Sequence, residues 1–154
     1  MEIELVVKEI QYVVAPAVMT SGSALLLLGF QNKFSSLANR FRSLNQERRE
    51  LAKKTALQDW ESERLKNLSQ QVEHLLARAT HVKNAILMTY GAIALFLLTS
   101  VLIFFNARGA YSISPYVVAV FLAGLLLELV ASLVMMREVA LAFKIVHLES
   151  GSLR

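Results

Sequence analysis

The chain has 154 residues, of which 55% are hydrophobic, with a mean hydropathy of +0.48. A soluble domain of this length needs one buried face per helix, not three nearly uninterrupted apolar runs, so the class is helical membrane protein. The absence of cysteine excludes disulfides, thiolate chemistry and cysteine-ligated metals, and the formal charge of +4 reads as a basic cytoplasmic face, not a nucleic-acid surface.

The chain opens MEIELVVKE, acidic where the first region of a secretory signal is basic, and no small-residue cleavage site follows a compact apolar core. It is expected to stay in the mature protein. Residues 1–14 read as a helix with Ile3, Val6, Val7, Ile10, Val13 and Val14 on one side, lying in the membrane interface. Pro16 lacks a backbone donor and disfavours helix at the residue before it, so a break is expected near Ala15. The first span then occupies residues 15–30 and ends at Gln31, Asn32 and Lys33. Small residues crowd it: Ala17, Ser21, Gly22, Ser23 and Ala24, with Gly22 and Gly29 one heptad apart. In lipid, such residues let helix backbones approach. Thr20, Gly22, Leu27, Gly29 and Phe30 therefore serve either helix packing or the lining of a pore.

One apolar stripe leaves the span without interruption. Thr20, Ser23, Leu27, Phe30, Phe34, Leu37, Phe41, Leu44 and Leu51 follow steps of three and four, broken in register only by Arg48. Such spacing holds one face of a helix against one partner. Residues 31–84 carry a second seam, Leu65, Leu68, Val72, Leu75, Ala79 and Val82, which runs on to Ile86. The pattern lapses between Lys53 and Glu63, where Thr55 with Gln58 offers a weak capping box and Asp59 another N-cap. Two arms joined there form a coiled-coil-like antiparallel hairpin, each arm reaching roughly 35 Å from the bilayer at 1.5 Å per residue. Phe34, Leu37, Phe41 and Leu44 should be buried against Leu68, Val72 and Leu75 or against a neighbouring copy. Trp60, near the tip, is expected to stabilise the turn.

The second span covers residues 85–105, continuing the seam through Thr89, Ile93, Phe96, Ser100 and Ile103. Residues 106–115 form a short loop, in which Ser114 and Pro115 make a good helix start. The third span, residues 116–136, runs past Arg137 into a C-terminal helix over 137–154, with Gly151 as its cap. Residues 31–84 hold eleven lysines and arginines, whereas residues 106–115 hold only Arg108. The positive-inside rule then places the hairpin and the C-terminus in the cytoplasm and the N-terminus outside. The expected fold is an all-α membrane protein of three transmembrane helices, the first two extended into a long cytoplasmic antiparallel hairpin.

The run PAVMTSGSALLLLGFQNKFSSLANRFRSLNQERREL resembles the signature of a bacterial three-span membrane family catalogued as domain of unknown function 2721. Proline, serine-glycine-serine, the leucine run, glutamine-asparagine-lysine and the arginine-rich helix match in order, and the likeness extends more weakly through the later spans. It implies a multi-pass protein of the bacterial inner membrane and supplies no activity, substrate or catalytic residue.

Chemistry must come from the residues themselves. Glu128 lies two positions past the centre of the third span, at a depth where acids face protein or water. There it is expected protonated and donating a hydrogen bond, level with Ser21 and Ser23, with Gly124 and Ser132 on its own face. It is either a neutral tether between helices or a proton or cation site. His74 and His81 stand two turns apart, too far for one metal within a helix. No phosphate loop, HExxH or nucleophile–base pair is present, so no enzyme, metal or cofactor is expected. Lys33, Arg40 and Arg42 lie close enough to the bilayer to touch anionic headgroups or to ring an inner vestibule. Three spans with one internal acid make a thin bundle, and a homo-oligomer follows. The expected function is an ion-conducting channel with a central pore; the alternative is a non-conducting scaffold whose hairpin docks a cytoplasmic protein. Membrane lipids are expected partners; nucleic acid is not.

Overall fold

The computed structural model describes residues 2–53, 58–107 and 114–151. They form three helices: α1 over Glu2–Ala52, α2 over Asp59–Ala107 and α3 over Ser114–Gly151. All three are long and apolar enough to cross a membrane. Leu25, Leu28, Leu97, Leu126 and Leu129 are exposed on their outer faces. A soluble protein rarely presents such contiguous apolar surface, whereas hydrocarbon accepts it without cost.

α1 is unbroken through Pro16, which corrects the break expected near Ala15. Residues 1–14 are therefore not a separate helix: from Glu2 they belong to α1. Proline removes one backbone donor, and such a defect is tolerated in a spanning helix when neighbouring groups compensate locally. Here the carbonyl deprived of its helical donor is that of Tyr12, the Pro16 ring is buried, and one turn on the Thr20 hydroxyl bonds back to the Pro16 carbonyl at 2.9 Å.

α2 is the centre of the fold. It packs along α1 on one side and along α3 on the other, while α1 and α3 barely meet. α1 and α2 run antiparallel. Arg64 donates through Nε and an Nη to Glu47 Oε1 at 3.0 and 2.8 Å, and nearer the spans Gln31 donates to the Tyr90 hydroxyl at 3.0 Å. Between these ties lies an apolar seam in which Leu37, Leu75 and Val82 are buried with Phe41 packed against them, and Phe30 extends it past Gln31. Beyond the bilayer, each such aliphatic side chain removed from water contributes about 1.5–3 kcal/mol. Leu44 is half-buried, but Phe34 is 37% exposed. Of its two expected settings, burial within the hairpin is therefore not the one found, and the face against a neighbouring copy is left. The heptad step from Phe30 to Leu37 keeps α1 on its partner, and Phe34 falls to the side of that line.

The seam of α2 continues into the span through Thr89 and Phe96, both buried as expected, while its second line moves by one position. Leu68, Val72, Leu75 and Val82 are buried as expected, but Ala85, Ala92 and Thr99 then replace Ile86, Ile93 and Ser100 at the buried positions. Small side chains draw the helix backbones together where no hydrophobic effect operates. The Thr89 and Thr99 hydroxyls donate to the Ala85 and Leu95 carbonyls at 3.1 and 2.8 Å, so neither is an unpaired donor in the core. On α3 the corresponding face is Gly124, Ala131, Met135 and Glu138.

The turn before α2 also differs from expectation. Gln58, not Asp59, stands before the first helical residue; Thr55 lies outside the described residues. The Gln58 backbone N–H donates to Glu61 Oε2 at 3.1 Å, the reach-back half of a capping box. Trp60 donates its indole N–H to Gln58 Oε1 at 2.6 Å while remaining 61% exposed.

Candidate functional site

Two polar features interrupt the apolar packing. The first is Glu128. Both carboxylate oxygens are buried and neither makes a hydrogen bond. The group facing it is the side chain of buried Ser23, across the narrow gap between α3 and α1. Ser21 stands apart: it is exposed and its hydroxyl donates back to the Ala17 carbonyl at 3.1 Å. Thr20 is likewise bonded within its own helix. Leu27 and Phe30 are buried inside the chain. Gly22 and Gly29 face open space, with no atom within 4 Å of where a Cβ would stand.

The second feature is a basic cleft of about 850 Å³ where the three helices leave the apolar region. α1 contributes Lys33 and Arg40, α2 contributes His74, Arg78 and His81, and α3 contributes Arg137 and Glu138. Arg42, grouped with Lys33 and Arg40 by sequence, is exposed but does not line the cleft. Among the described residues Glu138 is the only carboxylate lining it, and its Oε1 accepts from Arg78 Nε at 2.7 Å. The glutamate side chain is 2% exposed and that of the arginine 23%. This pair was missed in the sequence. Glu138 follows Arg137 and reads as the start of a polar tail; the signal available was its phase, seven residues from buried Ala131 and three from buried Met135.

A smaller cleft of about 460 Å³ lies toward the opposite end, between Tyr12 and Pro16 of α1, Thr99 and Asn106 of α2, and Phe121 of α3. Along both α1 and α3, the Ser23–Glu128 site falls between the two clefts. Together these features form an interrupted groove between α1 and α3, floored by α2, with an acid at mid-depth and cations at one end. Such an arrangement can hold a cation or proton at Glu128 and an anion at the basic cleft.

A model of the family described as Protein of unknown function (DUF2721) matches residues 13–148. No curated protein and no solved structure matches the chain significantly. The matched segment begins within α1 and ends within α3, taking in the basic cleft, Glu128 and all but Tyr12 of the smaller cleft's lining, and the chain belongs to the DUF2721 family.

Proposed function

We propose that the chain is a homo-oligomeric membrane protein that conducts ions, with Glu128 as the ion- or proton-binding group and Ser23 as its hydroxyl neighbour. One observation carries this reading: the Glu128 carboxyl is buried at mid-span with both oxygens lacking a hydrogen bond. Buried polar groups almost always find partners. An acid retained in a span without one is costly, and such residues mark ion and proton paths. The neutral-tether reading requires a hydrogen bond from the carboxyl to a second helix, for which the Ser23 side chain of α1 is the available partner, and Glu128→Gln separates the two readings. The clefts approaching from the two ends favour a path along the α1–α3 groove, closed from lipid by a neighbouring copy, over one through the α1 seam, which is occupied by α2.

The proposed setting is the bacterial inner membrane, with the eleven cations of residues 31–84 in the cytoplasm and the α2–α3 connection outside. Because the chain has no native cysteine, a single Ser69→Cys substitution is a clean reporter of this orientation. It should react with an impermeant thiol reagent from the cytoplasmic side alone. Conduction is tested with purified chain in liposomes under imposed proton and cation gradients. Dye-reported flux above that of empty liposomes is expected. Its absence under every gradient would leave the scaffold reading, for which exposed Trp60 at the hairpin tip is the natural contact.

A further inference from the structure

We propose that the basic cleft binds a phosphate group, carried by an anionic lipid headgroup or free in solution. The proposal is independent of conduction at Glu128. Lys33, Arg40 and Arg137 reach the cleft from α1 and α3, beside the Arg78–Glu138 pair that supplies the one carboxylate among the described lining residues. That carboxylate does not oppose an anion strongly, because Arg78 holds it at 2.7 Å and it is buried behind the pair. Arg40 of α1 and Arg137 of α3 both line the cleft, although their helices otherwise barely meet. Guanidinium groups bind phosphate oxygens through paired N–H donors, and two from opposite walls can hold one phosphate between them.

Size and position agree with a lipid-borne phosphate as well as a free one. About 850 Å³ lies in the range of small-molecule sites and exceeds what phosphate alone needs. Lys33 follows the apolar run of α1, and Arg137 that of α3, so the cleft opens at headgroup depth. Leu37, Leu75 and Val134 add apolar wall, on which the glycerol and upper acyl chain of a lipid can rest.

The test uses the full chain purified in neutral detergent, titrated separately with phosphatidylglycerol, phosphatidylcholine and inorganic phosphate, with bound ligand counted by native mass spectrometry. Phosphatidylglycerol should be retained in preference to phosphatidylcholine. If inorganic phosphate does not displace it, the source is lipid; if inorganic phosphate binds and displaces it, the same site takes free phosphate. Each cation removed should weaken binding about fivefold, so Arg40→Gln with Arg137→Gln should cost roughly twenty-five-fold. Arg42→Gln, outside the cleft, should change it by less than about twofold, since its charge stays solvent-screened. Should the double variant fail to fold, Lys33→Gln alone should show the fivefold loss. Equal retention of both lipids with no phosphate binding would overturn the proposal, as would an Arg42→Gln loss equal to that at Arg40.

Discussion

Glu138 is the residue whose surroundings are hardest to read from its neighbours in sequence. It stands beside Arg137 at the end of an apolar run, yet it is almost fully buried and ion-paired, while Arg137 is exposed. Removing one member of a buried pair strands the other charge, at about 3–5 kcal/mol when burial is complete. The two sides of this pair are unequal. Arg78→Ala strands the nearly inaccessible carboxylate and should lower stability by about 3 kcal/mol. Glu138→Ala strands a guanidinium that water still reaches, so about 1–2 kcal/mol is expected. Joint replacement by Arg78→Met and Glu138→Met should recover most of the loss, because apolar groups of similar length fill the space without a desolvated charge. Thermal unfolding of the four proteins in detergent measures the cycle. Glu128, by contrast, was legible: a single acid inside GLLLELVASL has no solvated reading, and its Ser23 neighbour follows from matching depths on two spans. The separation of Ser21 from Ser23 was not, since it depends on which face of α1 meets its partners.

Among the helices, periodicity disclosed the α1–α2 seam but not the α2–α3 contact. Leu37 and Leu75 meet in a part of the hairpin where polar residues mark the outer face, so an apolar stripe stands out. Apart from Glu128 and Ser132, α3 is apolar all round its spanning part, and an apolar stripe cannot be distinguished there. Small residues specify that contact instead. A Cβ on Gly124 would meet the Phe96 ring at 2.8 and 3.0 Å and the Leu95 Cβ at 3.3 Å. Gly124→Ala should therefore destabilise by about 1–3 kcal/mol through overpacking. A Cβ on Gly91 would meet only the Leu127 Cδ2 methyl, at 2.9 Å. That methyl ends a flexible side chain that can turn aside, so Gly91→Ala should cost less than about 1 kcal/mol. Equal losses in the two variants, measured by unfolding in detergent, would contradict this account of the α2–α3 contact.

At the scale of the molecule, three helices in which α2 separates α1 from α3 leave a groove that one copy does not close. A second copy against the outer face of α1 would cover it, and Gly22 and Gly29 are open on that helix. Gly22→Leu with Gly29→Leu adds bulk at two positions where a Cβ meets nothing within 4 Å. It should leave helix content and monomer stability unchanged while shifting the oligomer to smaller species by light scattering in detergent. An unchanged oligomer would place the interface elsewhere.

The claim that most defines this account is that Glu128 is an ion- or proton-binding group, not a neutral tether. Glu128→Gln keeps the size of the side chain and its capacity to hydrogen-bond but cannot ionise. The direct measurement compares wild type and Glu128→Gln in liposomes, following proton and cation flux across a pH series. The account predicts pH-dependent flux in the wild type, and its loss in Glu128→Gln at unchanged oligomer size. Flux of equal magnitude and pH dependence in both proteins would contradict it.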